Sequence, residues 1–201
     1  MNWLFSRRTV HSKKNGTMLI KRVLGRWRIF SGGNENTGPE LTEIWEEAFK
    51  ILLHAKQEAP VQNVLQLGFG AGGTIKEIYE YFPNCIIDAV DYDSQMIAVA
   101  RTAKLWNPFP APNIYEADAR EFLKQVSKQY DLVLVDLFHD GKPSALLDDE
   151  IFMQSLKSAV KNGGTVLINV FRNPEYLCVA NSVFSASTVL TLESNTLGLF
   201  Y

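Results

Sequence analysis

The chain has 201 residues, of which 46% are hydrophobic and 21% charged, and its formal net charge is -2. This balance fits one globular domain with a sizeable core and a small appendage, and it excludes two domains of ordinary size. The near-neutral charge provides no large basic field, so we expect a small-molecule partner and neither nucleic acid nor membrane. The opening MNWLFSRR is not arranged as a signal peptide, and no apolar run has the length of a membrane span, which predicts a cytoplasmic protein.

The first forty residues predict an appendage in two parts. Residues 1–16 mix basic and small polar side chains, which indicates a loose, mildly basic tail. Residues 17–40 open with TMLIKRVLGRWRIF, in which apolar and basic residues alternate on either side of Leu24-Gly25. This alternation predicts a small β-hairpin, and the breaker-rich stretch SGGNENTGPE predicts a loop after it.

Residues 41–201 predict the main domain. Apolar residues at helical spacing in ELTEIWEEAFKILLHA indicate a first helix, and strand-like apolar runs then alternate with helical stretches as far as GGTVLINVF. Such alternation predicts an α/β fold with a doubly wound, Rossmann-like parallel sheet covered on both faces. After a last predicted helix, STVLTLE and TLGLFY are separated by two residues, which predicts a C-terminal antiparallel hairpin. The arrangement is similar to class I methyltransferase-type domains.

The stretch VLQLGFGAGGTIKEI combines an apolar strand, four glycines and the start of a helix. Gly68, Gly70, Gly72 and Gly73 leave room for a ligand to approach backbone N–H groups at the turn. Through Gly68, Gly70 and Gly73 the spacing also fits the dinucleotide fingerprint, with Asp91 on a ribose, although nothing downstream resembles a substrate domain. A tight turn without a ligand is the simpler alternative.

Carboxylates follow three of the predicted strands. Asp91 ends the strand CIIDAVD, where a carboxylate can accept both hydroxyls of a ribose, whereas Asp93 precedes a helix that it can cap. Asp118 ends the next strand, where it can accept from an adenine amino group beside Ala119 or cap the helix AREFLKQV. Asp136 ends a fourth strand, and we expect it to orient or deprotonate a nucleophile.

Several stretches in order resemble the spermidine synthase family, the polyamine aminopropyltransferases, over the region from Thr17 to about Val170. They are VLQLGFGAGGTIKEI, DAVDYDSQMIAVAR, EADAREFLK, YDLVLVDLF and GKPSALLDDEIFMQSLKSAVKNGGTVLINV. The resemblance implies a nucleoside sulfonium ligand, with the glycine turn beside its aminoalkyl chain, Asp91 on ribose, and Asp118 and Ala119 at adenine. It also implies that Asp136 deprotonates an attacking amine, and that a homodimer can form.

Three stretches depart from the family pattern. Ala71 replaces the acid that holds the propylamine end of decarboxylated S-adenosylmethionine, Ile44 and Trp45 replace the first two residues of Y-H-E, and His139 replaces a second acid. An aspartate near the ligand tail repels the carboxylate of ordinary S-adenosylmethionine, by about 4 kcal/mol for charges about 4 Å apart at an effective dielectric constant of about 20. Moreover, Gln66, Gly68, Gly70 and Gly72 fit the methyltransferase spacing [DE]-x-G-x-G-x-G with an amide in first place.

The leading hypothesis from the sequence is therefore a spermidine synthase-like transferase that moves the methyl group of S-adenosylmethionine to a small acceptor, for which an amine is one candidate. No metal is required. The second hypothesis is a true aminopropyltransferase that uses decarboxylated S-adenosylmethionine. A non-catalytic nucleoside-binding protein is a third alternative, and a nicotinamide oxidoreductase is the last.

Overall fold

The first described element is a four-stranded antiparallel sheet, here called the N-terminal sheet. The computed structural model describes residues 5–24, 26–31, 34–35, 37, 39–55, 60–139, 141–192 and 195–201. The strands lie in chain order: β1 (Phe5–Ser12), β2 (Gly16–Val23), β3 (Arg26–Ser31) and β4 (Asn34–Glu35). The predicted hairpin is confirmed as β2 and β3. The predicted loose tail was wrong for residues 5–12, because these residues pair with β2 along their whole length.

A seven-stranded sheet forms the centre of the main domain, as predicted. Its spatial order is β12-β13-β11-β8-β5-β6-β7. The strands are β5 (Asn63–Leu67), β6 (Ile86–Asp91), β7 (Asn113–Glu116), β8 (Tyr130–Val135), β11 (Val160–Phe171), β12 (Ser187–Leu192) and β13 (Asn195–Phe200). A separate short ribbon pairs β9 (Phe138–His139) with β10 (Lys142–Pro143). The predicted C-terminal hairpin is confirmed, since β13 runs antiparallel to both β12 and β11.

Within the part of the chain that the structure describes, six α-helices cover the two faces of this sheet. They are α1 (Pro39–Ala55), α2 (Ile75–Tyr81), α3 (Ser94–Ala103), α4 (Ala119–Gln125), α5 (Glu150–Ala159) and α6 (Cys178–Val183). One apolar cluster joins α1, α2 and α3 to one face, and a second joins α4, α5 and α6 to the other. Alternate residues of β5 show the division: Val64 belongs to the first cluster, Leu65 and Leu67 to the second.

The N-terminal sheet packs on the main domain through one of its faces. Met18, Ile20 and Ile29 are buried in a third apolar cluster, which also contains Met96 and Val99 of α3. The sheet therefore lies beside the carboxyl ends of the central strands, where α3 begins. Among the helices that the structure describes, none combines the length with the apolar composition that a membrane span requires.

Candidate active site

The candidate site lies where four neighbouring parallel strands end. The central order β7-β6-β5-β8 places the loops after these strands side by side at the carboxyl edge of the sheet. The loop after β5 is the glycine turn, defined as residues 68–73. Asp91, Asp118 and Asp136 stand at or just after the ends of the other three strands. The fold thus gathers all the predicted site residues at one edge, as expected for an open α/β sheet.

Two glycines of the turn are required by the protein itself. Gly68 has a φ of +84°, and a Cβ added there would lie 2.2 Å from the backbone oxygen of Asp136. A Cβ on Gly72 would lie 2.8 Å from the ring of Phe69. Both positions therefore lack side chains because other parts of the chain occupy the space.

Gly70 faces open space. Its φ is +54°, and an added Cβ would meet no heavy atom within 4 Å. Its N–H donates to Oδ2 of Asp91 over 2.7 Å, which joins the turn to the end of β6. A ligand approaching the turn would thus reach it at Gly70 and the Asp91 carboxylate.

Gln66 supports the turn from inside the protein. Its side chain is 1% exposed, and Nε2 donates to the hydroxyl of Thr74 over 3.0 Å. Oε1 of Gln66 is buried and accepts no hydrogen bond from the described residues. The amide at the first position of the methyltransferase-like motif therefore holds the strand to the start of α2.

Ala71 lies beneath the N-terminal sheet. It is 2% exposed and belongs to the apolar cluster that Met18, Ile20 and Ile29 form with α3. The position where the family carries an acid is thus surrounded by apolar side chains. A carboxylate placed there would lose water without gaining a described cation as a neighbour.

Asp91 and Asp93 perform different tasks at the start of α3. The backbone N–H groups of Gly70 and Asp93 (2.9 Å) donate to Oδ2 and Oδ1 of Asp91, respectively, and the N–H of Tyr92 provides a further hydrogen bond to this carboxylate. Burial raises the pKa of the Asp91 carboxyl, and these hydrogen bonds oppose the rise.

Asp93 caps α3 through its Oδ1, which confirms the capping interpretation. Its Oδ2 accepts hydrogen bonds from Ser12 (2.5 Å) and Asn15 (2.6 Å). This link from the N-terminal sheet to the site has no local signal in the sequence.

Asp118 and Ala119 begin α4. Oδ1 of Asp118 accepts from the N–H groups of Arg120 (2.9 Å) and Glu121 (3.4 Å), so the predicted cap is present. The side chain of Asp118 is nevertheless exposed, whereas Ala119 is 6% exposed. The cap thus leaves one carboxylate oxygen of Asp118 outside the helix contact.

Asp136 has one described side-chain partner. Its Oδ1 accepts a hydrogen bond of 2.8 Å from Nδ2 of Asn169, which is 6% exposed. Burial of the carboxyl raises the pKa of Asp136 to about 6 against the weaker opposing effect of that hydrogen bond, although the residue as a whole keeps some exposed surface. Asn169 was not predicted as a site residue. The sequence does contain an indication of it: Asn169 is a polar residue inside the apolar run VLINV. This run belongs to β11, which pairs with β8, the strand that Asp136 follows.

His139 and Tyr92 approach each other over the end of β5. Nδ1 of His139 lies 3.3 Å from the hydroxyl of Tyr92, which follows Asp91. His139 itself is exposed, and Asp140 lies outside the described residues. The contact joins the segments that follow Asp91 at the end of β6 and Asp136 after β8.

The fold and the arrangement of this edge define a Rossmann-like α/β domain with an acid-lined crevice beside a glycine turn. Residues 50–177 match the family model of the Spermine/spermidine synthase domain. This match covers more than half of the chain, and the chain belongs to that family.

Curated relatives agree with this assignment. A polyamine aminopropyltransferase of Neisseria meningitidis serogroup A is 31% identical over 152 residues, which are 73% of this chain and 56% of that protein. A polyamine aminopropyltransferase of Alkaliphilus oremlandii is 30% identical over 129 residues, or 61% of this chain and 44% of that protein. The chain thus spans about half the length of these two relatives.

A solved structure agrees with the fold. The crystal structure of a probable spermidine synthase from Corynebacterium glutamicum aligns with a TM-score of 0.77 and 17% sequence identity. The alignment covers 96% of this chain and 79% of that one, and it includes the N-terminal sheet as well as the central sheet. At this identity the likeness concerns the fold alone.

The comparisons bear on the two leading hypotheses from the sequence. They support the second, aminopropyl transfer, better than the first, methyl transfer, because the family model and the curated relatives are those of spermidine synthases and aminopropyltransferases. Methyl transfer is favoured by Ala71 and by the methyltransferase spacing of the glycine turn, whereas aminopropyl transfer is favoured by five stretches in the order of the family.

Proposed function

We propose that this chain is the catalytic region of an aminopropyltransferase, which moves an aminopropyl group from decarboxylated S-adenosylmethionine to an amine. Family membership supports the reaction class. The observation that carries the proposal within this chain is Asp136, a carboxyl with a pKa raised to about 6, fixed by Asn169 and adjoining the glycine turn through Gly68. A carboxyl with this pKa can exchange a proton near neutral pH.

The nucleoside end of the ligand would bind along the turn. In this proposal it approaches at Gly70, a ribose hydroxyl donates to Asp91, and the adenine contacts Asp118 and Ala119. The Asp91 carboxylate already accepts hydrogen bonds from the backbone N–H groups of Gly70, Asp93 and Tyr92, and a carboxylate has about four acceptor sites, so capacity for a ribose hydroxyl remains. Gln66, Gly68 and Gly72 act indirectly, by holding the shape of the turn.

The chemical step needs no more than positioning and a proton acceptor. The lone pair of the acceptor amine attacks the propyl carbon attached to sulfur, and the C–S bond breaks, with its electrons going to sulfur. The acceptor amine obtains this lone pair by giving a proton to the Asp136 carboxylate before it attacks, and the positive charge of the sulfonium ends on the newly alkylated ammonium. At pH 7 Asp136 is mostly ionised, since its pKa is about 6, and is ready to accept.

One observation favours ordinary S-adenosylmethionine as a second candidate ligand. Ala71 lies in an apolar cluster, so no carboxylate stands there to attract an ammonium or to repel the ligand's own carboxylate. Ile44 and Trp45 are also buried, in the core against the sheet, and offer no charge to an acceptor. Methyl transfer would use the same crevice and the same base.

Calorimetry with the two ligands separates the candidates. We would titrate the protein with S-adenosylmethionine and with its decarboxylated form, and repeat both titrations with Ala71→Asp and the neutral control Ala71→Asn. Aminopropyl transfer predicts tighter binding of the decarboxylated ligand, and Ala71→Asp should extend that preference beyond the Asn variant. Because residue 71 is buried, a melting temperature must accompany each titration.

Turnover completes the test. The protein would be incubated with decarboxylated S-adenosylmethionine and a short diamine, and the products separated by chromatography. Formation of a longer polyamine supports the proposal, whereas a methylated amine from S-adenosylmethionine supports the second candidate. Tight ligand binding without product from any acceptor would favour a non-catalytic nucleoside-binding protein.

A further inference from the structure

The N-terminal sheet and the seven-stranded sheet end in four edge strands, and three of these are short or charged. In the N-terminal sheet, β1 carries the exposed Arg7 and Arg8, and β4 has two residues. At one end of the seven-stranded sheet, β7 has four residues and ends at Glu116. Short length and charged side chains discourage an edge strand from pairing with another chain. The fourth edge strand, β12, has neither protection.

Strand β12 is six residues long, and its sequence STVLTL contains no charged residue and no proline. Its Thr and Val residues favour an extended backbone. Ser187, Thr188, Val189 and Thr191 are exposed, and 50% of the Val189 surface is accessible. The edge of the seven-stranded sheet is therefore open to another strand at β12.

The hydrogen bonds of the C-terminal hairpin show which backbone groups of β12 point outward. The N–H of Tyr201 donates to the carbonyl of Ala186 over 3.0 Å, and this pair continues the register of β12 with β13. In an antiparallel ladder such bonded pairs alternate with pairs that are not bonded, so residues 188, 190 and 192 also bond to β13. The N–H and C=O groups that point away from β13 are those of Ser187, Val189 and Thr191. Among the described residues, none bonds to these outward groups.

The outward groups of β12 are complementary to those of a second β12. When two copies are placed antiparallel about a two-fold axis at Val189, this residue meets its own counterpart, and Ser187 meets Thr191 on either side. In all three pairs both partners point their backbone groups at each other, so each pair can exchange two N–H···O=C bonds. The same surface then serves both copies, and no like charges face each other.

Helix α1 adds apolar surface beside this edge. Leu190 and Leu192 of β12 pack against the apolar cluster that contains α1. Phe49 of α1 contacts Tyr81 at the end of α2. Ile51 lies about 200° further round α1, on the side away from α2 and towards β12, and it is 36% exposed. The two-fold axis would bring both copies of α1 to the same face of the joined sheet, so that Ile51 approaches its counterpart.

We propose that this protein forms a two-fold symmetric dimer in which the β12 strands of two copies pair antiparallel about Val189. The two seven-stranded sheets then form one continuous sheet. The resemblance to a known family implied that a homodimer can form, and the open edge assigns a surface to it. The inference is independent of the proposed enzymatic activity and is tested without it.

Disulfide crosslinking tests the register of this pairing. All variants carry Cys178→Ser, because the exposed Cys178 could crosslink on its own. Val189→Cys should give a disulfide-linked dimer, because Cα atoms of a hydrogen-bonded pair are about 5.5 Å apart, within the range of a disulfide. Ser187→Cys and Thr191→Cys should each stay unlinked alone, since four residues of offset separate like positions by about 14 Å. A mixture of these two variants should crosslink.

Analytical ultracentrifugation tests the unlinked protein from about 1 to about 100 μM, a range that covers micromolar Kd values. The mass should rise with concentration above the 22.7 kDa of one chain. Val189→Lys should raise the Kd at least about tenfold, because two like charges would face each other across the axis. The matched control is Tyr115→Lys on the opposite edge strand β7, where the residue is 42% exposed, and it should leave the Kd unchanged.

Three results would overturn the inference. One is the mass of a single chain at every concentration, and another is a dimer that Val189→Lys does not weaken, which would lie on a different surface. The third is crosslinking of Ser187→Cys alone as complete as that of Val189→Cys, which would exclude the register. A melting temperature accompanies each variant, and Val189→Pro is a second test that adds no charge. It removes an N–H that does not bond to β13, so it should weaken the dimer and leave the hairpin paired.

Discussion

Asp88, inside the central sheet, and Asp136, just after the end of β8, have opposite electrostatic surroundings. Asp88, inside β6, is 3% exposed and accepts hydrogen bonds from Asn113 (2.8 Å), Lys128 (2.8 Å) and the hydroxyl of Tyr130 (3.0 Å). Burial alone would raise its pKa, but these donors lower the pKa below the ordinary value. Asp136 has one described side-chain donor, and its pKa is raised to about 6.

The difference distinguishes an acid that stabilises the fold from one that is available for chemistry. The fold surrounds Asp88 with a cation and two neutral donors, and its charged form is the stable one. At Asp136 the single hydrogen bond from Asn169 only partly offsets the loss of water around the carboxylate. The charged form of Asp136 therefore lowers the free energy of unfolding. Burial of a carboxylate is thus not itself a sign of function. A buried carboxylate with too few donors to stabilise its charge, at the carboxyl edge of a sheet, is such a sign.

Asp136→Asn gives the sharpest test of this distinction. Under the proposed function, aminopropyl transfer should fall at least about 100-fold, because Asp136 is the proposed proton acceptor. Stability should rise by about 2 kcal/mol at pH 7, or about 4–8 °C in melting temperature, because the uncompensated charge is removed. Kinetics and thermal unfolding of the same preparation check both effects.

The sign of the stability effect follows from the raised pKa. The folded state holds an extra proton between the unfolded pKa of about 3.9 and the folded value of about 6. The stability of the parent protein therefore falls as pH rises through this window, and the loss persists above it. The gain in Asp136→Asn should vanish below about pH 4. A variant that loses both activity and stability at pH 7 would make Asp136 a structural residue.

Asp88→Ala should have the opposite profile. Removing the carboxylate leaves the buried Tyr130 hydroxyl without its acceptor, while Lys128 stays partly hydrated, which costs about 2 kcal/mol and lowers the melting temperature by about 4–8 °C. Because the folded pKa of Asp88 is lowered, its contribution is present above about pH 3.9 and is lost as pH falls through the folded value. Thermal unfolding against pH measures this. In Asp88→Asn, which keeps an acceptor for Tyr130, a loss as large as in the Ala variant would show that charge is the dominant contribution.

Asn169→Ala should affect Asp136 without removing it. The hydrogen bond from Nδ2 opposes the rise of the Asp136 pKa, so its loss should move the acidic limb of the pH–rate profile above about pH 6. Activity at pH 7 should fall about tenfold, and Asn169→Gln, which keeps an amide donor, should recover part of it. An acidic limb that does not move would mean that Asn169 only supports the strand.

The elements with strong periodicity were predictable from the sequence, and the contacts between them were not. Strand and helix patterns from β5 to β13 are continuous and led to the correct sheet. Strand β1 was missed because FSRRTVHS places few apolar residues on either face; it is held by pairing with β2 and by the contacts of Ser12 and Asn15 with Asp93. Those contacts join residues about 80 positions apart, which no local pattern reports.

The same limit applies within the site. The positions of Asp91, Asp118 and Asp136 at strand ends follow from the alternation of elements alone. The glycine motif, however, does not distinguish Gly68, which clears space for the Asp136 backbone, from Gly70, which faces open space. That distinction depends on how closely β5 and β8 approach, and thus on packing.

Two substitutions at Asp118 can separate its role as a helix cap from its proposed role in binding the ligand. Asp118→Ala should lose the cap and destabilise the protein by about 1 kcal/mol, whereas Asp118→Ser keeps a capping oxygen and should be nearly neutral. If the exposed oxygen also accepts from adenine, both variants should bind the nucleoside ligand about tenfold more weakly, because Ser is too short to reach it. Calorimetry and thermal unfolding on the two variants then give two independent readings. Weaker binding in the Ala variant alone would assign Asp118 to the helix, and equal weakening in both would assign it to the site as well.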